Sequence, residues 1–161
     1  MVNQFFFQSL AAFGRYTTFT PTGTWTTNTT YSGAWFRLGE NMFINYRVTL
    51  AGAPDNTSLF VNLPLVNGAT VMIDSGKLVM SANAARTAVL GAGIINDANA
   101  GVYAAQISYG TTFSLLAGVF AMSTGVTYLS RAQIGATTPA VFASGDDITL
   151  HAVVPIFGWN I

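Results

Sequence analysis

Charged residues are scarce in this 161-residue chain, where Asp, Glu, Lys and Arg make up 7% of the sequence, against about 25% in ordinary globular domains. The six basic and six acidic residues balance, and neither kind forms a run. Because a phosphate backbone is bound by clustered Lys and Arg, we expect no nucleic-acid partner. With hydrophobic residues at 51%, the composition favours a protein whose surface is partly covered within an assembly.

Cysteine is absent, and His151 is the only histidine. The first absence excludes disulfides and thiolate metal sites. A serine nucleophile would need His151 as its base, and the sequence contains no Gly-x-Ser-x-Gly elbow. Alternation places His151 in the middle of a strand, where a structural histidine is the commoner case. We therefore expect no enzyme, and no catalytic, cofactor or metal site.

Long apolar runs are also absent. None approaches the ~18 residues that a membrane helix needs, so we expect no membrane partner. The first residues, MVNQFFFQSLAAF, are apolar but lack a positive start, and Asn3, Gln4 and Gln8 interrupt them. This pattern does not indicate a secretory signal.

The sequence does contain strong strand patterns, and the clearest is GDDITLHAVVPIFGWNI at residues 145–161. It predicts a turn and then one long strand, because apolar residues recur with a period of two. One face carries Ile148, Leu150, Ala152, Val154 and Ile156, and the other carries Thr149, His151, Val153 and Phe157. Both faces become apolar near the end, so we expect a second sheet on one side and another subunit on the other.

A hairpin is predicted earlier in the chain, with a turn at residues 39–41. Its second strand should point Met42, Ile44, Tyr46, Val48 and Leu50 inward, and Phe43, Asn45, Arg47 and Thr49 outward. Residues 51–58 are predicted to form a loop. The Thr-rich segment 17–30 favours strand, and Trp25 is its one large anchor. Further strands are predicted at 58–64, at 71–73 and 77–80 around a turn, and at 91–95, 102–109, 112–122 and 125–131. Residues 84–90 fit either a helical turn or a strand.

The adjacent carboxylates Asp146 and Asp147 do not form a catalytic pair, because neighbouring side chains on a strand point to opposite faces. We expect them to form the turn before the last strand, with one carboxylate accepting backbone N–H groups. The aromatic residues allow two interpretations. Trp25, Trp35 and Trp159, with several tyrosines, could line a carbohydrate groove, although anchoring the core is the commoner use.

Residues 1–16 depart from the strand pattern, because the segment concentrates large apolar side chains: Phe5, Phe6, Phe7, Leu10 and Phe13. One interpretation is a first strand or short helix packed on its own domain. The other is a docking arm that buries these side chains against a neighbouring protein.

The pattern as a whole predicts one all-β domain over residues 17–161, an antiparallel sandwich or barrel of about eight to ten strands. The long last strand and the one-sided hairpin favour a jelly roll. Two stretches then resemble a known family: PTGTWTTNTTYSGAWFRLGENMFINYRVTLAGAP with SLFVNLP, and FASGDDITLHAVVPIFGWNI. They resemble the small jelly-roll module of tailed-phage virion proteins. The matching residues are Phe36, Arg37, Gly39, Glu40, Met42, Leu63, Pro64, Gly145, Asp146, Val154, Pro155, Gly158 and Trp159.

This resemblance implies a homotrimeric jelly roll, akin to the complement globular head and tumour-necrosis-factor fold, on the surface of a phage particle. Because no long shaft precedes the module, we expect a capsid decoration or cement protein that contacts the major capsid protein or another virion protein. The alternative is a tail-fibre or head-fibre tip that recognises a host surface glycan or protein. The residues expected at the assembly and docking interfaces are Phe5, Phe6, Phe7, Leu10, Phe13, Val153, Phe157 and Trp159.

Overall fold

The computed structural model describes residues 15–80, 88–122 and 129–159. Strands dominate these ranges, which confirms the all-β prediction. In chain order the strands are β1 (Thr17–Phe19), β2 (Thr29–Leu38), β3 (Asn41–Leu50), β4 (Phe60–Asn62), β5 (Leu65–Val66), β6 (Ala69–Thr70), β7 (Val89–Asp97), β8 (Gly101–Thr111), β9 (Ser114–Met122), β10 (Leu129–Gln133) and β11 (Asp147–Pro155).

Nine of these strands form one antiparallel sheet in the order β1-β2-β3-β11-β7-β8-β9-β10, with β4 also paired to β9. The last strand, β11, therefore lies between β3 and β7. Strands β5 and β6 form a separate two-stranded ribbon.

The sheet curls until its two ends meet at a seam. The segment that follows β1 pairs with β4 through a bridge between Gly23 and Val61. Beside it, the Thr24 N–H donates to the Phe60 carbonyl oxygen at 3.1 Å, and the Asn62 N–H donates to the Thr22 carbonyl oxygen at 2.8 Å. Because main-chain hydrogen bonds cross this seam, the curled sheet encloses a single core, in keeping with a sandwich.

Alternation decides which side chains of β3 and β11 enter that core. All five inward residues predicted for β3 are buried, and the inward residues of β11 are at most 5% exposed. Trp25 is fully buried, packs against Phe142 at a ring distance of 5.5 Å, and donates its Nε1–H to the Thr57 carbonyl oxygen at 2.8 Å. The prediction that Trp25 anchors its segment is confirmed.

Residues 51–58 form the predicted loop, and Asp55 ties it to the segment before β2. The Asp55 carboxylate accepts hydrogen bonds from the backbone N–H groups and the hydroxyls of Thr27 and Thr26. These bonds, led by the backbone donors, hold the pKa of Asp55 well below its usual range. The ionised carboxylate of Asp55 thus helps to fix the loop.

The strands predicted at 71–73 and 77–80 are wrong. The structure has a 3₁₀ helix at Ser75–Lys77, because the Lys77 and Leu78 N–H groups bond back to the carbonyl oxygens of Asp74 and Ser75. Upstream, Ile73 makes only an isolated bridge to Ile156. Downstream, Val79 is 96% exposed, so a strand there would have no surface on which to bury it.

Three other strand predictions need adjustment or remain open. In the Thr-rich segment 17–30, only Thr17–Phe19 and the start of β2 are strand. Most of the segment 84–90 lies outside the described residues, and β7 begins at Val89. The strand predicted at 125–131 is confirmed only where β10 begins, at Leu129, because the residues before it also lie outside.

The two adjacent aspartates occupy different environments, as the sequence predicts. Asp146 is 1% exposed, and its carboxylate accepts the Ala98 N–H at 2.9 Å and the Ala143 N–H at 2.7 Å. It therefore joins the turn before β11 to the end of β7. Asp147 opens β11 and forms a surface ion pair with Arg47 at 2.7 Å.

Asp146→Ala is expected to lower the free energy of unfolding by about 3 kcal/mol, because it leaves two N–H groups without their acceptor. Asp147→Ala, one position along, should cost less than about 1 kcal/mol, since exposed ion pairs contribute little. Urea unfolding followed by tryptophan fluorescence, at one protein concentration, compares the two variants. Equal losses would show that the buried carboxylate is no more important than the surface pair.

Candidate functional site

The outer face of β2, β3, β11 and β7 is the candidate functional surface, and strand register aligns its side chains in rows. Phe36 lies opposite Phe43, and Phe43 lies opposite Val153. The next row crosses from Ala34 through Asn45 and His151. Residues opposite one another share a face of the sheet, so the register alone defines this surface.

An aromatic and aliphatic row runs along one end of the outer face. The Tyr16 ring meets Phe36 edge-on at 4.9 Å, and Phe36 stacks on Phe43 at 4.8 Å with 13° between the ring planes. Val153 continues the row and is 41% exposed, while Tyr16 is 50% exposed. We call Tyr16, Phe36, Phe43 and Val153 the apolar row.

A hollow of about 280 Å³ lies beside the apolar row. Gly91 on β7, which has no side chain, forms part of its wall. Leu90 and His151 form further parts of its wall. The outer face therefore has both a ridge and a recess, so it could fit a partner protein of complementary shape.

A polar band follows the apolar row, and its groups satisfy one another. His151 Nδ1 lies 2.8 Å from Asn45 Oδ1, and since an amide oxygen can only accept, the imidazole nitrogen donates. Arg47 and Asp147 form the ion pair described above. On these four strands the outer face thus carries no unbalanced charge, and beyond the band Ile94 is 48% exposed.

The interface residues predicted from the sequence are only partly brought together. Val153 lies in the apolar row, whereas Phe157 lies past the end of β11 and is 62% exposed. Trp159 is half-buried beside Trp35, with the Arg37 guanidinium 4.8 Å from its ring centre. The predicted residues Phe5, Phe6, Phe7, Leu10 and Phe13 lie outside the described residues.

Tyr16 and Phe36 belong to this surface but were not predicted to do so. A signal for Phe36 was present, because a tight turn at Gly39 and Glu40 fixes the hairpin register and places Phe36 opposite the outward Phe43. Tyr16 had no such signal, since it precedes β1 and its contact with Phe36 is not part of the strand register.

The described residues give little support for catalysis or metal binding at this surface. No group of three or more His, Asp or Glu residues lies close enough there to hold a metal ion. The imidazole of His151 pairs with an amide and not with a carboxylate or a hydroxyl. Among the same residues, no helix has the length and apolar character to cross a bilayer.

Comparisons of the chain with protein-family models, with curated proteins and with solved structures find no match. Assignment of a function therefore depends on the chemistry of the outer face and on the sequence resemblance.

Proposed function

We propose that this protein is a non-enzymatic structural protein of a tailed-phage particle, a homotrimer that decorates the capsid surface. The observation that carries the proposal is the outer face, where an aromatic and aliphatic row is partly exposed and the charges on its four strands form a pair. Protein interfaces are rich in aromatic side chains and poor in charge at their centres. Exposed apolar patches mark such contacts.

The proposed trimer depends on the resemblance and on closed symmetry. A face that one copy leaves exposed is usually covered by identical copies around a closed ring. The strand pattern predicts that another subunit covers Val153, a residue of the apolar row. In the single chain Val153 is 41% exposed. In a trimer, the neighbouring copies would cover Val153.

The proposed jelly roll is supported by the position of β11. The last strand lies between β3 and β7, which requires long crossover connections of the kind found in Greek keys and jelly rolls. The order β7-β8-β9-β10 is a simple meander, so this part of the sheet adds no support. The support for a jelly roll therefore comes from the part of the sheet around β11.

Decoration is favoured over a fibre tip by the way this chain uses its large aromatics. Trp25 is fully buried, and Trp35 and Trp159 pack against the core. Phe36 and Phe43 lie in the apolar row. A cement protein should use such side chains for its core and its protein contacts.

Particles that lack this protein are expected to adsorb to cells normally but to lose infectivity faster on heating, because a cement protein adds contacts between capsid subunits. Adsorption and heat survival of mutant and parental particles measure the two properties. As a control, mutant particles supplied with the wild-type protein should recover their heat resistance. Lost adsorption on equally sturdy particles would contradict decoration and favour the fibre tip.

A further inference from the structure

A second surface feature lies at the seam of the sheet, away from the outer face. It is a cleft of about 570 Å³ between the segment that follows β1, the β4–β5 connection, β6 and the β8–β9 turn. Small-molecule sites commonly measure about 300 to 1,000 Å³. All the residues that line the cleft are described, and none of them is charged.

One wall of the cleft presents a fixed pair of polar groups. Asn62 Nδ2–H donates to Thr22 Oγ1 at 2.8 Å, so the Thr22 hydroxyl proton remains available to a ligand. Asn62 Oδ1 has no hydrogen-bond partner among the described residues, which makes it an available acceptor. The main chain of Asn62 is held on both sides, by its N–H bond to Thr22 and by the Tyr46 hydroxyl, which donates to its carbonyl oxygen at 3.1 Å.

The other wall is apolar and partly rigid. Phe19 meets the buried Tyr46 ring edge-on at 5.9 Å, which fixes its position. Phe113 also lines the cleft and is 45% exposed, so its ring is accessible to a ligand. The exposed hydroxyls of Thr20 and Thr70 lie at the rim. A matching ligand is therefore uncharged, with an apolar face and several hydroxyl groups.

We propose that this cleft binds a neutral saccharide of one or two sugar units. Two neighbouring sugar hydroxyls can each donate and accept, so a vicinal diol matches the Thr22 donor and the Asn62 acceptor together. The C–H face of a sugar ring can pack on Phe113 while the remaining hydroxyls reach Thr20 and Thr70. An anionic sugar or an acidic peptide would find no cation in the lining. This inference does not rest on the proposed place in the capsid.

The test uses purified full-length protein and ligand-observed NMR titrations with glucose, galactose, N-acetylglucosamine and their oligomers. At least one of these sugars should bind with millimolar affinity. Thr22→Val, which keeps the side-chain shape, and Phe113→Ala should each weaken binding about tenfold. Phe157→Ala, which removes an exposed ring outside the cleft, is the matched control and should bind as the wild type does. Unfolding curves verify that each variant is folded, and Thr20→Val replaces Thr22→Val if that variant is not.

The proposal is overturned if no sugar in the panel binds, or if the Thr22 and Phe113 variants bind as well as the wild type. It is also overturned if cyclohexanol, whose single hydroxyl cannot satisfy both polar groups, binds as tightly as the best sugar, or if a neutral peptide competes more strongly. If the affinity rises with oligomer length, the natural ligand is a polysaccharide. If it stays constant, the cleft binds a single sugar unit. Either result agrees with a saccharide site. Because particle heat survival is measured separately, this proposal and capsid decoration can fail independently.

Discussion

Replacing Gly93 with alanine is expected to lower the free energy of unfolding by more than about 4 kcal/mol, or to prevent folding altogether. A Cβ built at Gly93 would lie 2.0 Å from the carbonyl oxygen of Thr149, and one built at Gly91 would lie 1.8 Å from that of His151. Both oxygens belong to the main chain of β11, so no side-chain rotation can relieve the overlap. The alanine can be accommodated only if β7 separates from the strand at the centre of the sheet.

Gly135→Ala is the matched control, because its Cβ would meet nothing closer than the Thr57 carbonyl oxygen at 3.9 Å. This variant should change the unfolding free energy by less than about 0.5 kcal/mol. Urea unfolding followed by circular dichroism measures both variants. If Gly93→Ala unfolds at the wild-type midpoint, the close approach of β7 to β11 is not a requirement of the fold.

Val153→Arg is expected to convert the proposed trimer into a folded monomer. In a single chain Val153 is 41% exposed, so the longer side chain can extend into water and the fold should lose less than about 1 kcal/mol. In the trimer, three guanidinium groups would be buried against apolar surface without an acidic partner. Burial of an unpaired charge costs several kcal/mol for each ion, so the three copies should separate.

Light scattering coupled to size exclusion measures the mass of each variant in solution. Val141→Arg is the control, because Val141 is 73% exposed and does not belong to the outer-face strands, so this variant should remain trimeric. A wild-type chain that is only monomeric would remove the proposed trimer. A Val153→Arg variant that stays trimeric would place the interface elsewhere on the molecule.

The parts of the fold that could be predicted from the sequence are those determined by residues close together along the chain. Apolar residues occupy every second position from Met42 to Leu50 and from Ile148 to Ile156, and the buried faces follow that period of two. The position of Asp146 could also be predicted from its neighbours, because Gly145 just before it marks the turn that it stabilises. Local pattern was sufficient wherever one face of a strand met the core.

The parts that could not be predicted depend on contacts between distant segments. Apolar residues at 71–73 resemble a strand, yet Ile73 donates its N–H to the Thr112 carbonyl oxygen, and the chain then turns into the 3₁₀ helix. The cleft is a second case, because Thr22 and Asn62 are 40 residues apart and neither belongs to a recognisable motif. Only the closing of the curled sheet brings them together.

The central position of β11 also has a consequence for protein synthesis. Arg47 and its partner Asp147 are 100 residues apart, so β3 leaves the ribosome long before the strand that will cover its edge. Until then, β3 and β7 each present an unpaired edge that can associate with other chains. Pairing across so long a separation is also slow. Prematurely terminated chains that lack β11 should therefore aggregate or be degraded.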